Sequence, residues 1–217
     1  MDQILAGLRY IGSNPGLMLQ LTWQQLWITL VSLGIALAIA LPLGVALART
    51  PSLRGPVLGV LSVIYTIPSL AMLVLLLPLT RLGPQTAIVA LVAYAQIVLV
   101  RNTLLGLTSI DPAVLEAARG MGMTPWQRLW RVELPLALPL IVAGVRIATL
   151  SIIGIGTIAA MINAGGLGTL LFQGVASGQR AKIVAGSLAV GALALLANLL
   201  LRGVERLVAL PTGAEQP

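Results

Sequence analysis

The sequence has no cysteine, no histidine, one phenylalanine and one lysine, Lys182. Without cysteine or histidine there is no disulfide, no thiol chemistry and no His or Cys metal ligation. An intramembrane serine protease needs a histidine or lysine base beside its nucleophile, and Lys182 lies at the edge of an apolar run. The aspartyl type needs paired acids within the membrane, and the only two aspartates, Asp2 and Asp111, lie outside the apolar runs. No G-x-x-x-x-G-K-[ST] phosphate loop occurs, so ATP is not hydrolysed by this chain. Charge is scarce as well: 9% of the 217 residues are charged, against about a quarter in soluble domains. So little polar surface cannot cover a water-soluble core.

What the chain has is apolar length. It is 58% hydrophobic with a mean hydropathy of +1.02, which makes the bilayer its solvent. A spanning helix needs roughly 20 mostly apolar residues. The stretches between Arg9 and Arg49, Arg54 and Arg81, Arg81 and Arg101, Arg146 and Arg180, and Lys182 and Arg202 carry no charge. They predict an all-α membrane protein with about five transmembrane helices, near 24–48, 56–79, 85–106, 134–160 and 181–201, in one domain over 1–217. The runs lack the alternating polar pattern of a barrel wall, and backbone satisfaction in lipid then requires helices. Pro42, Pro68 and Pro78 fall within these spans and are expected to kink them. A further span at 4–20 is not expected, because Arg9 and the Asn14-Pro15-Gly16 turn interrupt it. The start also lacks the basic segment of a cleaved signal peptide, so the first span is expected to direct insertion.

Thirteen basic residues face six acidic ones, a net charge of +7. The excess is spread along the chain rather than clustered, which points to membrane topology and not to nucleic acid. If the 49–54 loop is cytoplasmic, that side holds Arg49, Arg54, Arg101, Arg119, Arg128, Arg131, Arg202 and Arg206, against Arg9, Arg81, Arg180 and Lys182 outside. The expected orientation is therefore N-terminus out and C-terminus in. Arg146 stays within the fourth span, where a charge is a functional candidate by default.

Residues 107–133 form the one long polar loop, with Asp111, Glu116 and Glu133 supplying half the acids of the chain. Asp111-Pro112 reads as an N-cap followed by proline in the first helical turn. Gly120-Met121-Gly122 reads as the stop of that helix. Thr124 and Gln127 have capping-box spacing and start a second short helix. Such a loop is either an amphipathic element lying on the membrane or a docking helix for a soluble partner.

Within the loop, Glu116-Ala117-Ala118, three residues, Gly122, nine residues, then Val132-x-Leu134-Pro135 resembles the EAA loop of permease subunits of bacterial binding-protein-dependent ABC importers. The one departure is valine where that pattern has isoleucine. The resemblance implies the type I importer permease fold, with the loop forming a cytoplasmic coupling helix that enters a cleft of the ATPase. By that carry-over Glu116, Ala117, Ala118 and Gly122 face the ATPase, and Leu134-Pro135 closes the motif. It further implies two ATPase subunits, a second permease copy or paralogue and an extracytoplasmic substrate-binding protein. ATP and Mg would be used by the ATPase, with no cofactor in this chain.

Pro42-Leu43-Gly44, Tyr65-Thr66-Ile67-Pro68-Ser69-Leu70-Ala71, Arg101-Asn102-Thr103 and Gly165-Gly166-Leu167-Gly168 extend the resemblance across roughly 20–205. They resemble the glycine betaine, carnitine and choline (osmoprotectant) permeases; the short five-span form is also similar to the methionine importer permease. The implied function is import of an osmoprotectant across the inner membrane, with a methionine or other amino-acid importer as the alternative. A passive channel or an intramembrane enzyme is the more distant reading. Tyr65, Pro68, Ser69, Tyr94 and Arg146 are the candidates for lining the translocation path, with Trp126 and Trp130 assigned to the coupling region. A bare arginine would repel a cationic solute, so Arg146 is expected to be paired. Gly144, Ala148, Gly154 and Gly156 give the fourth span small residues for close helix packing.

Overall fold

A computed structural model describes residues 2–208. Within them the chain is helical, with no strand. The helices are α1 (Asp2–Ser13), α2 (Pro15–Arg49), α3 (Pro51–Thr66), α4 (Ser69–Thr80), α5 (Pro84–Thr108), α6 (Pro112–Gly120), α7 (Pro125–Arg128), α8 (Leu134–Ile158), α9 (Gly168–Ala176) and α10 (Arg180–Val208). A π-turn, Leu129–Glu133, joins α7 to α8, and a 3₁₀ turn, Ala159–Ile162, ends α8. Six of these helices, α2, α3, α5, α6, α7 and α8, carry proline in their first turn. At the five free helix starts its missing N–H costs nothing, and its fixed φ favours the helix; Pro135 of α8 instead follows the continuous turn Leu129–Glu133.

Helix α5 is the axis of the bundle, and its contacts fix the direction of its neighbours. Gln96 on α5 donates to the Ala36 carbonyl at 3.3 Å, while Gly44 lies against Thr103. Both numberings rise together, so α2 and α5 run parallel. The chain from Thr50 to Gly83 must therefore return from one end of the bundle to the other. Helices α3 and α4, bent by 97° to each other, form one broken span rather than a re-entrant loop. Helix α8 is antiparallel to α5, with Gly106 against Ala137 and Gly144 against Asn102. With α10 this gives five crossings. Loop residues 109–133 occupy one end of the bundle, called here the loop end, and the turn at 163–167 occupies the far end.

The sequence places four spans within a few residues and misreads three details. The first spanning helix, α2, begins at Pro15 rather than near 24 and has 35 residues, about 52 Å, longer than the ~30 Å hydrocarbon layer. The second span is broken, not kinked, because Ile67 and Pro68 both take extended ψ angles, 128° and 135°. A residue before proline is pushed out of the helical region. Pro42 and Pro78, by contrast, sit inside continuous helices. After the fourth span the chain makes a glycine-rich turn and then forms α9, a short helix that the spacing of charges did not predict. In that turn Asn163, Gly165 and Gly166 all have positive φ, and Gly166 N–H donates to Gln24 Oε1 at 3.0 Å. Helix α1 has 12 residues, too short to cross.

Close packing rests on small residues, as expected where lipid offers no hydrophobic drive between helices. Ala36, Ala40 and Gly44 form one face of α2, buried against α5, where Ala87, Ala90 and Ala95 are also buried. Gly144, Ala148 and Gly156 are buried on α8, whereas Gly154 meets nothing. A Cβ at Gly44 would come 2.6 Å from the Thr103 side chain, while one at Gly59 would meet nothing within 4 Å. Gly44→Val is therefore expected to cost about 1–3 kcal/mol of overpacking. Thermal unfolding in detergent should show a clear loss for Gly44→Val and a smaller one for Gly59→Val; equal losses would contradict the close seam.

Candidate functional site

The loop end is built from its caps. Asp111 accepts from Ala113 N–H at 2.8 Å and starts α6. The helix closes with a Schellman pair: Met123 N–H donates to the Ala118 carbonyl at 3.2 Å and Gly122 N–H to that of Arg119 at 2.9 Å. Gly122 takes φ +76° to do this, and a Cβ there would meet nothing. Its requirement is conformational, not steric. Thr124 and Gln127 then form the expected capping box, with bonds of 3.0 and 3.3 Å. The second short helix does not end before the fourth span. It runs through the π-turn directly into α8.

Glu116, Ala117 and Gly122 are exposed at this end, and so are Met121, Trp126 and Trp130. Pro135 is also exposed, at the start of α8, with Leu134 half-buried beside it. Ala118 departs from the expectation that it faces a partner. It is 1% exposed, because helix periodicity turns it inward with Leu115, three residues before it. Trp126 and Trp130 pack edge to face at 5.6 Å and line an apolar groove of about 880 Å³ with Leu41, Val45 and Leu138. So α6 and its glycine turn present a polar and small-residue surface, with apolar side chains beside it, that no other described part of the chain covers.

The candidates for the translocation path fall into two groups. Tyr65, Pro68, Ser69 and Tyr94 come together at the break between α3 and α4. The Tyr65 and Tyr94 rings meet edge to face at 6.0 Å, and the Tyr94 hydroxyl donates to the Ile67 carbonyl. That carbonyl is freed by the break, and in a low-dielectric interior an unpaired one is costly. Tyr94 is 4% exposed and Tyr65 45%, so Tyr94 holds the break and Tyr65 is the face it offers outward. Arg146 lies apart from this cluster. It is paired as expected, by Glu205 of α10 at 2.9 Å, with Asn198 accepting a further bond at 3.3 Å.

Sequence reasoning missed several participants. Glu205 carried no motif that linked it to Arg146. Glu133 was one loop acid among three; here it is buried between Arg49 and Arg128. At the far end Trp23, Gln24, Trp27 and Asn163 line an open cavity of about 490 Å³. The signal available for that cavity was a pair of tryptophans one helical turn apart.

Comparison with known proteins agrees with this geometry. Residues 40–210 match the family described as binding-protein-dependent transport system inner membrane component. The osmoprotectant import permease protein OsmW of Salmonella typhimurium is 41% identical over 203 residues, 91% of this chain and 94% of that protein. The glycine betaine/carnitine/choline transport system permease protein OpuCB of Bacillus subtilis is 38% identical, over 96% of this chain and 94% of its own length. Among solved structures, an inward-facing conformation of the MetNI methionine ABC transporter superposes with a TM-score of 0.83 at 29% identity, covering 91% of this chain and 99% of that one. The chain thus belongs to the inner membrane components of binding-protein-dependent transport systems: it is a permease subunit of an ABC importer and not itself an enzyme, ATP hydrolysis being the work of a separate ATPase.

Proposed function

We propose that this permease moves an osmoprotectant of the quaternary-ammonium class, such as glycine betaine, choline or carnitine, into the cell. The relatives named for those solutes support the substrate class, being 38–41% identical over nearly the whole chain. The coupling role is carried by one observation: α6 and the Gly122 turn, with the EAA spacing, stand uncovered at one end of the bundle. In this reading Glu116, Ala117 and Gly122 meet the ATPase, and the charge of Glu116 pairs with a basic group there. Two ATPase subunits act on two permeases, either copies of this chain or this chain and a paralogue. An extracytoplasmic binding protein delivers the solute to the far end. ATP and Mg act in the ATPase, and the whole of 1–217 serves as one transmembrane domain.

ATP-driven closure of the ATPases shifts the permease pair between outward- and inward-open states, and the loaded binding protein biases the same equilibrium. The broken span at Ile67-Pro68, with Tyr65 and Ser69, borders the path. Arg146 is neutralised by Glu205 and does not repel a cation there. The loop end is cytoplasmic: α2, α5 and α10 all finish there, bringing Arg49, Arg54, Arg101, Arg202 and Arg206 to the side of Arg119, Arg128 and Arg131. The N-terminus is then outside and the C-terminus inside.

Proteoliposomes holding the full complex should take up labelled glycine betaine, choline or carnitine only with internal ATP. Uptake of methionine and none of these would refute the substrate class. Glu116→Lys should abolish uptake while the protein still inserts. Gly122→Val should reduce it far more than Gly122→Asn, because asparagine tolerates positive φ; equal effects would remove the conformational argument. The chain has no cysteine, so Met121→Cys creates a single thiol. It should react with a membrane-impermeant reagent in inside-out vesicles and not in intact cells, and the reverse pattern would invert the topology.

A further inference from the structure

Glu133 is the only charged side chain that is buried among the described residues. Each of its oxygens takes one guanidinium: Arg49 Nη2 donates to Oε2 at 2.5 Å and Arg128 Nε to Oε1 at 2.7 Å. The two arginines come from different elements. Arg49 is the last residue of α2, and Arg128 is the last residue of α7, at the base of the coupling loop. Nearby, Arg54 seals the end of α2 by donating to the Leu47 and Ala48 carbonyls, both at 2.9 Å.

The π-turn makes this arrangement possible. On an α-helix, residues five apart point about 140° away from each other, so Arg128 and Glu133 would not meet. Over Leu129–Glu133 the backbone instead closes an i to i+5 bond, from Leu134 N–H to the Leu129 carbonyl. That widened turn sets residue 133 above residue 128 and turns its carboxylate toward α2. Single π-turns of this kind recur at functional sites. The loop is joined covalently to α8, but nothing in the chain connectivity joins it to α2. The carboxylate supplies that second link, at the end of the apolar contact of Leu129 and Ile141 with Leu41 and Val45.

We propose that Glu133 is a positioning residue for energy coupling: it latches the coupling loop, through Arg128, to the end of α2 at Arg49, so that displacement of the loop reaches two membrane helices, α2 and α8, rather than α8 alone. This rests on the coupling reading of the loop. Charge-assisted bonds of this geometry hold direction as well as distance, as a mechanical link requires. Leu134-Pro135 marks where the span begins, and Glu133 just before it fixes what the span moves with.

The test is the number of solute molecules moved per ATP hydrolysed by the reconstituted complex of permease, ATPase and binding protein. Glu133→Gln and Arg49→Gln should each lower that ratio about tenfold, and Glu133→Asp should recover part of it. The double variant should be no worse than Glu133→Gln alone, since both remove one interaction. A purely structural role would reduce assembled complex, hydrolysis and uptake together and leave the ratio unchanged; that result overturns the proposal. Should Glu133→Gln fail to assemble, Arg49→Gln decides, because the Arg49 side chain is 42% exposed and its replacement leaves the buried carboxylate paired with Arg128. Glu116→Lys in the same assay separates the two readings. If it transports normally, the loop does not couple at all. If it abolishes uptake while the Arg49 and Glu133 variants keep the wild-type ratio, only the latch is wrong.

Discussion

In hydrocarbon every backbone N–H and C=O must find its partner inside the protein, and most of this architecture follows from that demand. It forces each apolar run into a helix and makes any interruption of a helix a place where something else must supply a bond. The Ile67-Pro68 break is the clearest case. Two extended residues free the Ile67 carbonyl, and the Tyr94 hydroxyl, from the central helix α5, bonds it. The far-end turn follows the same rule, with Gln24 taking the Gly166 N–H. Broken backbone is thus found where a side chain from a neighbouring helix can complete it.

The same low dielectric governs charge. Two charges in poorly solvated places are paired: Arg146 with Glu205, and Glu133 with Arg49 and Arg128; Arg101, seven residues before the end of α5, is exposed instead. An unpaired charge in such a place is expensive. Glu116, by contrast, stands exposed on α6 without an ion-pair partner among the described residues. Met121 and Trp126 on the same loop are also uncovered. The buried charge ties the permease to itself, while the exposed charges on the loop are covered by no other described part of the chain.

How much was legible depends on the distance over which the signal acts. Asp111, Pro112, Thr124, Gln127 and Gly122 are capping and turn residues, read within four positions of one another, and the structure has the caps where those residues stand. Proline was legible only in part. Pro42, Pro68 and Pro78 look alike in sequence, yet only at Pro68 does the preceding residue leave the helical region, and there Tyr94 is at hand to satisfy the freed carbonyl. Ala118 was read with its motif neighbours as a contact residue, and it faces inward because a helix turns neighbouring positions to different sides. The π-turn was invisible, since nothing in Leu129-Trp130-Arg131-Val132-Glu133 breaks the α-helical pattern.

By itself the sequence determined the solvent, the number and approximate place of the crossings, the caps of the loop and the spacing that identifies the family. All of these depend on composition or on residues close along the chain. Tertiary structure decided that α2 and α5 run parallel, that α3 and α4 are one broken span, and which charges pair. The partners in those contacts are far apart in sequence: 27 residues for Tyr94 and Ile67, 59 for Arg146 and Glu205 and 84 for Arg49 and Glu133. Local periodicity fixes which face of a helix is apolar; only the packing of small residues across α2, α5 and α8 fixes which helix that face meets.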